Sequence, residues 1–199
     1  MIEPTVLTPG FANPPLQAQS VFRLVLGAMA SPGRVNMLSD DAPIAPSPLE
    51  DATFALALTL LDFETAVWLD ASLSTPDVLA GLRFHCGCPI VNRPEEAAFA
   101  LIGEAAHLPS LDAFDHGTPD YPDRAATLVI QAQGLVEGEG WTLSGPGIRQ
   151  RAKLRVLGLP DAMIGQLQAN RARFPNGVDL VFTCGRQFAC LPRTTELEG

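Results

Sequence analysis

The chain has 199 residues, of which 47% are hydrophobic and 18% charged, with 18 prolines, 17 glycines and a formal net charge of -9. That length favours one domain, and the apolar share can bury roughly 70% of the unfolded chain's surface, which excludes wholesale disorder. The negative charge repels nucleic-acid backbones and anionic lipid, so any anionic ligand has to meet a local cluster of arginines.

Met1 to Pro15 carries no basic residue and no apolar stretch of signal-peptide length, so neither export nor organelle import is expected and the protein should stay in the cytoplasm. The longest apolar runs, such as Phe54 to Leu61, fall short of the ~20 residues of a membrane helix, so no membrane association is expected. Pro15 to Ala30 reads as an almost wholly apolar helix stopped by Ser31-Pro32-Gly33, followed by a strand over Arg34 to Leu38. Ser47 is placed to cap a second helix from Pro48 to Leu61, with Glu50 and Asp51 in its first turn. Thr65 to Leu69 is a short strand, and Ser74 or Thr75 before Pro76 starts a third helix reaching about Arg83. Ala97 to Ile102 is a further strand, Leu108 to Phe114 a short helix, and Asp115 to Arg124 a loop. Ala126 to Ala132, Trp141 to Leu143 and Arg151 to Val156 read as strands, followed by a helix over Asp161 to Arg173. A hairpin closes the series, Val178 to Cys184 with Gln187 to Leu191. No repeat or long linker divides the chain, so the expectation is a single three-layer α/β domain with a mixed sheet, loosely ordered over 1–14 and 196–199.

Four cysteines, Cys86, Cys88, Cys184 and Cys190, with His85 beside the first, raise the possibility of a structural zinc site. A two-residue turn at Gly185-Arg186 would set Cys184 opposite Gln187 and Cys190 opposite Val181, on opposite sheet faces, so these two cannot share a metal or a disulfide. No metal is expected. The nucleotide, zinc-protease and esterase signatures are missing from the sequence. The one lysine, Lys153, lies in a period-two basic stripe of Arg149, Arg151, Lys153 and Arg155. An exposed strand lysine is a poor Schiff base, which disfavours pyridoxal chemistry. The stripe itself reads as a solvated edge strand or as a surface for phosphate or an acidic partner. Arg23, set in an apolar helix, needs an anionic partner unless it reaches solvent.

Ala18-Gln19 with Phe22-Arg23, Ala28-Met29-Ala30-Ser31-Pro32-Gly33, Leu58-Thr59-Leu60-Leu61-Asp62 with Glu64-Thr65, and Leu82-Arg83-Phe84-His85 together resemble the PhnH family. The second half continues the likeness through Leu143-Ser144-Gly145-Pro146-Gly147-Ile148, Phe174-Pro175 with Gly177-Val178-Asp179-Leu180, Thr183-Cys184-Gly185, and Leu191-Pro192-Arg193-Thr194-Thr195. The resemblance implies the H subunit of the carbon-phosphorus lyase core complex of bacterial phosphonate catabolism. It helps to replace the adenine of ATP by methylphosphonate, giving α-D-ribose 1-methylphosphonate 5-triphosphate. It also implies a fold similar to the large domain of pyridoxal-phosphate-dependent transferases without the cofactor or its lysine, a homodimer, and assembly with the G, I and J subunits. Cys86-Gly87-Cys88 departs from the family's pattern.

Within these motifs the catalytic candidates are Asp62, His85 and Arg193. The candidates for binding phosphate, such as that of a phosphorylated nucleotide, are Arg23, Arg83, Gly145, Gly147, Arg193, Thr194 and Thr195. Asp62 is expected to pair with Arg23 across packed helices, and Arg83 and His85 either cap their helix or bind an anion. Arg193 with its two threonines can grip phosphate after a strand, and its loss is expected to spare folding. An assisting or structural subunit is the leading reading. A stand-alone transferase or hydrolase acting on a phosphorylated small molecule is the alternative, and a small anion-binding protein outside phosphonate metabolism a more remote one.

Overall fold

The computed structural model describes residues 7–198. In chain order the elements are α1 (Pro14–Ala30), β1 (Asn36–Met37), α2 (Asp51–Leu60), β2 (Val67–Leu69), α3 (Pro76–His85), β3 (Ile90–Val91), β4 (Phe99–Ile102) and β5 (Thr127–Gln131). They continue with β6 (Gly134–Ser144), β7 (Ala152–Leu157), α4 (Met163–Ala172), β8 (Asp179–Cys184), β9 (Gln187–Leu191) and β10 (Glu196–Glu198). Short 3-10 turns lie between β3 and β5.

Seven strands form a mixed sheet in the order β1-β9-β8-β5-β4-β2-β3, parallel from β8 through β3, with β9 antiparallel to both its neighbours. The central strands are apolar on both faces because both faces are covered. Leu101, Val129, Val181, Phe188 and Cys190 pack with residues of α1, α2 and α3 on one side. Ala100, Ile102, Leu128, Ile130, Leu180, Phe182 and Leu191 pack on the other side with Leu143, Leu154, Met163 and Leu167. Each such fully buried Leu, Ile or Phe contributes about 1.5–3 kcal/mol over an exposed one. The layers are therefore helices, sheet, and a composite of α4 with a second, three-stranded antiparallel sheet in the order β10-β6-β7. One mixed sheet was expected; the chain builds that sheet and adds a second, antiparallel one.

Most boundaries follow the sequence, and the departures have local causes. Ser47 does not cap α2, because Leu49 N–H donates to the Pro46 carbonyl in a turn and the helix starts later, with Glu50 at the cap position. Thr75 does cap α3, its hydroxyl accepting from Val78 N–H at 3.3 Å. β6 runs eleven residues where three were expected, since Gly138, Glu139 and Gly140 form a bulge against β7 and carry no apolar alternation. The tail expected to be loosely ordered contains β10, paired with Thr142 to Ser144; Gly199 lies outside the described residues. At the other end residues 1–6 also lie outside them, but Phe11 packs on the helical side of the core. No helix among the described residues is long and apolar enough to cross a membrane.

Candidate functional site

Three motifs distant in sequence meet at the C-terminal end of α1. The helix stops because Pro32 cannot continue it, and the chain turns through Ser31 to Gly33 beneath β6 and β7. Gly145-Pro146-Gly147 follows β6 as a tight turn, with Ile148 N–H donating to the Gly145 carbonyl at 3.1 Å. Gly147 has φ +82°, and a Cβ there would stand 2.2 Å from the Ala30 carbonyl oxygen, so only glycine fits between this turn and α1. On its other side the turn touches the segment after β9, where a Cβ on Gly145 would lie 2.9 Å from the Thr194 carbonyl.

Beside this junction opens a cleft of about 500 Å³, walled by the α1 turn with Arg34, by Glu137 of β6, by Gly147, and by Arg149, Arg151 and Lys153 leading into β7. Four of the chain's 13 Lys and Arg residues thus line one concavity of an otherwise acidic protein. Arg151 Nη2 stands 3.1 Å from Glu198, and Glu137 accepts from Val35 N–H at 3.0 Å. Arg34, Arg149 and Lys153 are exposed and have no carboxylate within ion-pair distance among the described residues. The first of the two readings of the basic stripe holds. It is a solvated face of an edge strand, with Leu154 and Val156 turned inward, and three of its four members also face the cleft. Arg155, the fourth, pairs outside it with Glu139 at 3.3 Å. A second cavity of about 380 Å³ lies across Gly147, between Met29, Asp179, Pro192 and Thr194.

The other sequence candidates are dispersed. Arg193 is committed internally: its Nε lies 3.2 Å from both Asp179 oxygens, its Nη2 2.6 Å from Oδ2, and its backbone N–H donates to Oδ1 at 2.8 Å. Its remaining nitrogen, Nη1, donates to the Pro122 carbonyl, and the pair is 13% and 21% exposed. The guanidinium expected to be free for phosphate instead ties the exit of β9 to the start of β8. Thr195 is buried, Thr194 half-buried. Arg23 reaches solvent from α1, and the expected ion pair with Asp62 does not form. Asp62 Oδ1 instead accepts from Thr65 Oγ1 at 2.7 Å and Glu64 N–H at 3.0 Å, and the Thr65 hydroxyl in particular holds its carboxyl below the usual carboxylate range. This closes the turn between α2 and β2. Arg83 is exposed in the last turn of α3. His85 Nε2–H donates to the Thr8 carbonyl at 2.9 Å, and the ring lies edge-on to Phe54 and Phe84.

The cysteines follow the expected register, Cys184 opposite Gln187 and Cys190 opposite Val181. Burial raises the Cys184 thiol and pushes Cys190 up to about 12. Cys86 is raised chiefly by its contact with Cys88, which is lowered by the same contact. No three His, Cys, Asp or Glu side chains gather as metal ligands among the described residues. The sequence reading missed Arg34, because the wall it forms depends on β6 and β7 folding over the α1 turn.

Residues 9–198 match the family described as bacterial phosphonate metabolism protein (PhnH). The chain is 42% identical over 188 residues to the α-D-ribose 1-methylphosphonate 5-triphosphate synthase subunit PhnH of Rhizobium meliloti (strain 1021), covering 94% of each chain. It is 31% identical over 180 residues to the protein HtxG of Stutzerimonas stutzeri, named for a C-P lyase subunit, covering 90% of this chain and 85% of that one.

Proposed function

The chain belongs to the PhnH family of bacterial phosphonate metabolism proteins, and on that premise we propose that it is a subunit of an α-D-ribose 1-methylphosphonate 5-triphosphate synthase. The carrying observation is the 42% identity over 94% of both chains. In the reaction the bond from C1′ of ATP to adenine breaks, a bond from C1′ to a methylphosphonate oxygen forms, and adenine leaves with the proton that methylphosphonate gives up. This is a transferase activity of a complex, in which the chain has an assisting or structural part. The dispersal of its acid-base candidates supports that part: Asp62 closes one turn, His85 sits under the amino-terminal segment, Arg193 is bound to Asp179, and none of them lines the basic cleft.

The same reading makes the protein a cytoplasmic homodimer that joins the G, I and J subunits of the carbon-phosphorus lyase core. It needs no pyridoxal cofactor, in keeping with a fold related to the large domain of pyridoxal-dependent transferases that has lost the lysine. Lys153, the chain's one lysine, is exposed on an edge strand rather than buried, which supports this.

Native mass is measured for the protein alone and co-expressed with the other core subunits, and each preparation is assayed for adenine release from ATP with methylphosphonate. An inactive dimer that joins a larger complex and is required for its activity is the expected result. Full adenine release by the isolated protein overturns the assisting role in favour of a transferase or hydrolase in its own right. A complex that neither binds nor needs it overturns the subunit reading.

A further inference from the structure

We propose that the basic cleft between the α1 turn and β7 is a binding site for the polyphosphate chain of a triphosphate ester. Four cations, Arg34, Arg149, Arg151 and Lys153, face one carboxylate, Glu137, across about 500 Å³, within the size range of small-ligand pockets. Their number is comparable with the roughly four negative charges of a nucleoside triphosphate, each terminal phosphate carrying about -1.5 to -2 near neutral pH. Guanidinium groups match phosphate oxygens two at a time, and the lysine adds a movable point charge.

The shape and the charges together select a short polyanion. The wider field of a chain with net charge -9 repels long anions such as nucleic acid, while a local cluster retains a short one. An acidic protein surface is the competing occupant. It would meet a flat or convex patch, whereas these side chains line a hollow, and Arg155, on the same strand face but outside the hollow, is already neutralised by Glu139. Glu198 occupies only Arg151, which leaves three cations for the ligand. Ser31, Pro32, Gly33 and Gly147 of the two turns line the cleft, with Ile148 beside them, so phosphate oxygens can approach the backbone at the two glycines. The choice of a triphosphate ester over other short anions rests on the subunit role proposed above; the anion site itself does not.

The test is calorimetric titration of the isolated full-length chain with inorganic tripolyphosphate, ATP, ADP and AMP, at two salt concentrations. Saturable binding is expected, tightest for tripolyphosphate and ATP, weaker for ADP, weakest for AMP, and weakened by salt. Arg149→Ala combined with Lys153→Ala is expected to lower the ATP affinity by about tenfold or more, a loss of at least about 1.4 kcal/mol. Arg155→Ala, outside the cleft, should leave it unchanged. Equal losses in both variants, or no saturable binding of tripolyphosphate, overturn the proposal. So does a double variant that binds ATP normally but no longer joins the other subunits, which would make the cleft a protein-docking surface. Normal melting of both variants guards against misfolding. Because binding is read on the isolated chain, failure of the complex assay with intact binding removes the subunit role and leaves the anion site standing.

Discussion

Two groups of arginines flank the same junction and are used in opposite ways. Arg193 lies in a family motif, is mostly buried, and has every side-chain nitrogen engaged by Asp179 or the Pro122 carbonyl. Arg34 and Arg149 lie outside the post-β9 motif, are exposed, and have no carboxylate partner among the described residues. A motif arginine can thus be spent on the fold while less conspicuous neighbours keep their donors for a ligand. Substitution separates the two uses.

The largest effect is expected at the clamp. Arg193→Ala leaves the Asp179 carboxylate partly buried without its partner, and the cost is about 3 kcal/mol, read as a lowered denaturation midpoint in urea at unchanged slope. An unshifted midpoint would return Arg193 to the pool of ligand-binding side chains. Gly147→Ala comes next. Its left-handed backbone and the Ala30 carbonyl together cost about 2 kcal/mol, and because α1 must give way, tripolyphosphate affinity should fall with stability.

A smaller effect lies at Glu50, a half-buried residue at the start of α2 whose Oε2 has no hydrogen-bond partner. Burial raises its carboxyl above the usual 4.5, partly offset by the Gly185 amide and the Thr183 hydroxyl. Because the folded value is the higher one, the folded chain holds its proton more tightly, and that relative stability is lost as pH rises through the folded value. Glu50→Gln should therefore raise the melting temperature at pH 7, and the gain should vanish below about pH 4.5. A gain independent of pH would assign the effect to packing. The smallest effect is at the cleft: Arg149→Ala with Lys153→Ala should change stability by no more than about 0.5 kcal/mol, in contrast to its effect on binding.

These differences explain what could be read from the residues alone. Leu128 to Ile130 and Leu180 to Phe182 show as strands because burial on both sheet faces writes itself as a continuous apolar run. Val136 to Gly140 is also strand, yet exposed and interrupted by glycines and glutamates, so no period marks it. β10 is likewise two glutamates around Leu197, held by its partner strand rather than by its own pattern. Ser31-Pro32-Gly33 and Gly145-Pro146-Gly147 are legible as turns, but their meeting at the end of α1 is a property of the tertiary path. The pairing of Arg193 with Asp179 is invisible for the same reason: a side chain's chemical type states what it can hold, and only the fold states what it already holds.

The edge pairing of β1 with β9 joins Asn36 and Met37 to Phe188 and Gln187, near opposite ends of the chain. On the ribosome the first strand therefore waits, unpaired, until Gln187 and Phe188 have emerged. Nascent chains stalled before residue 187 should remain sensitive to protease around Arg34 to Leu38, and release of the full chain should protect that segment as the hairpin closes on it.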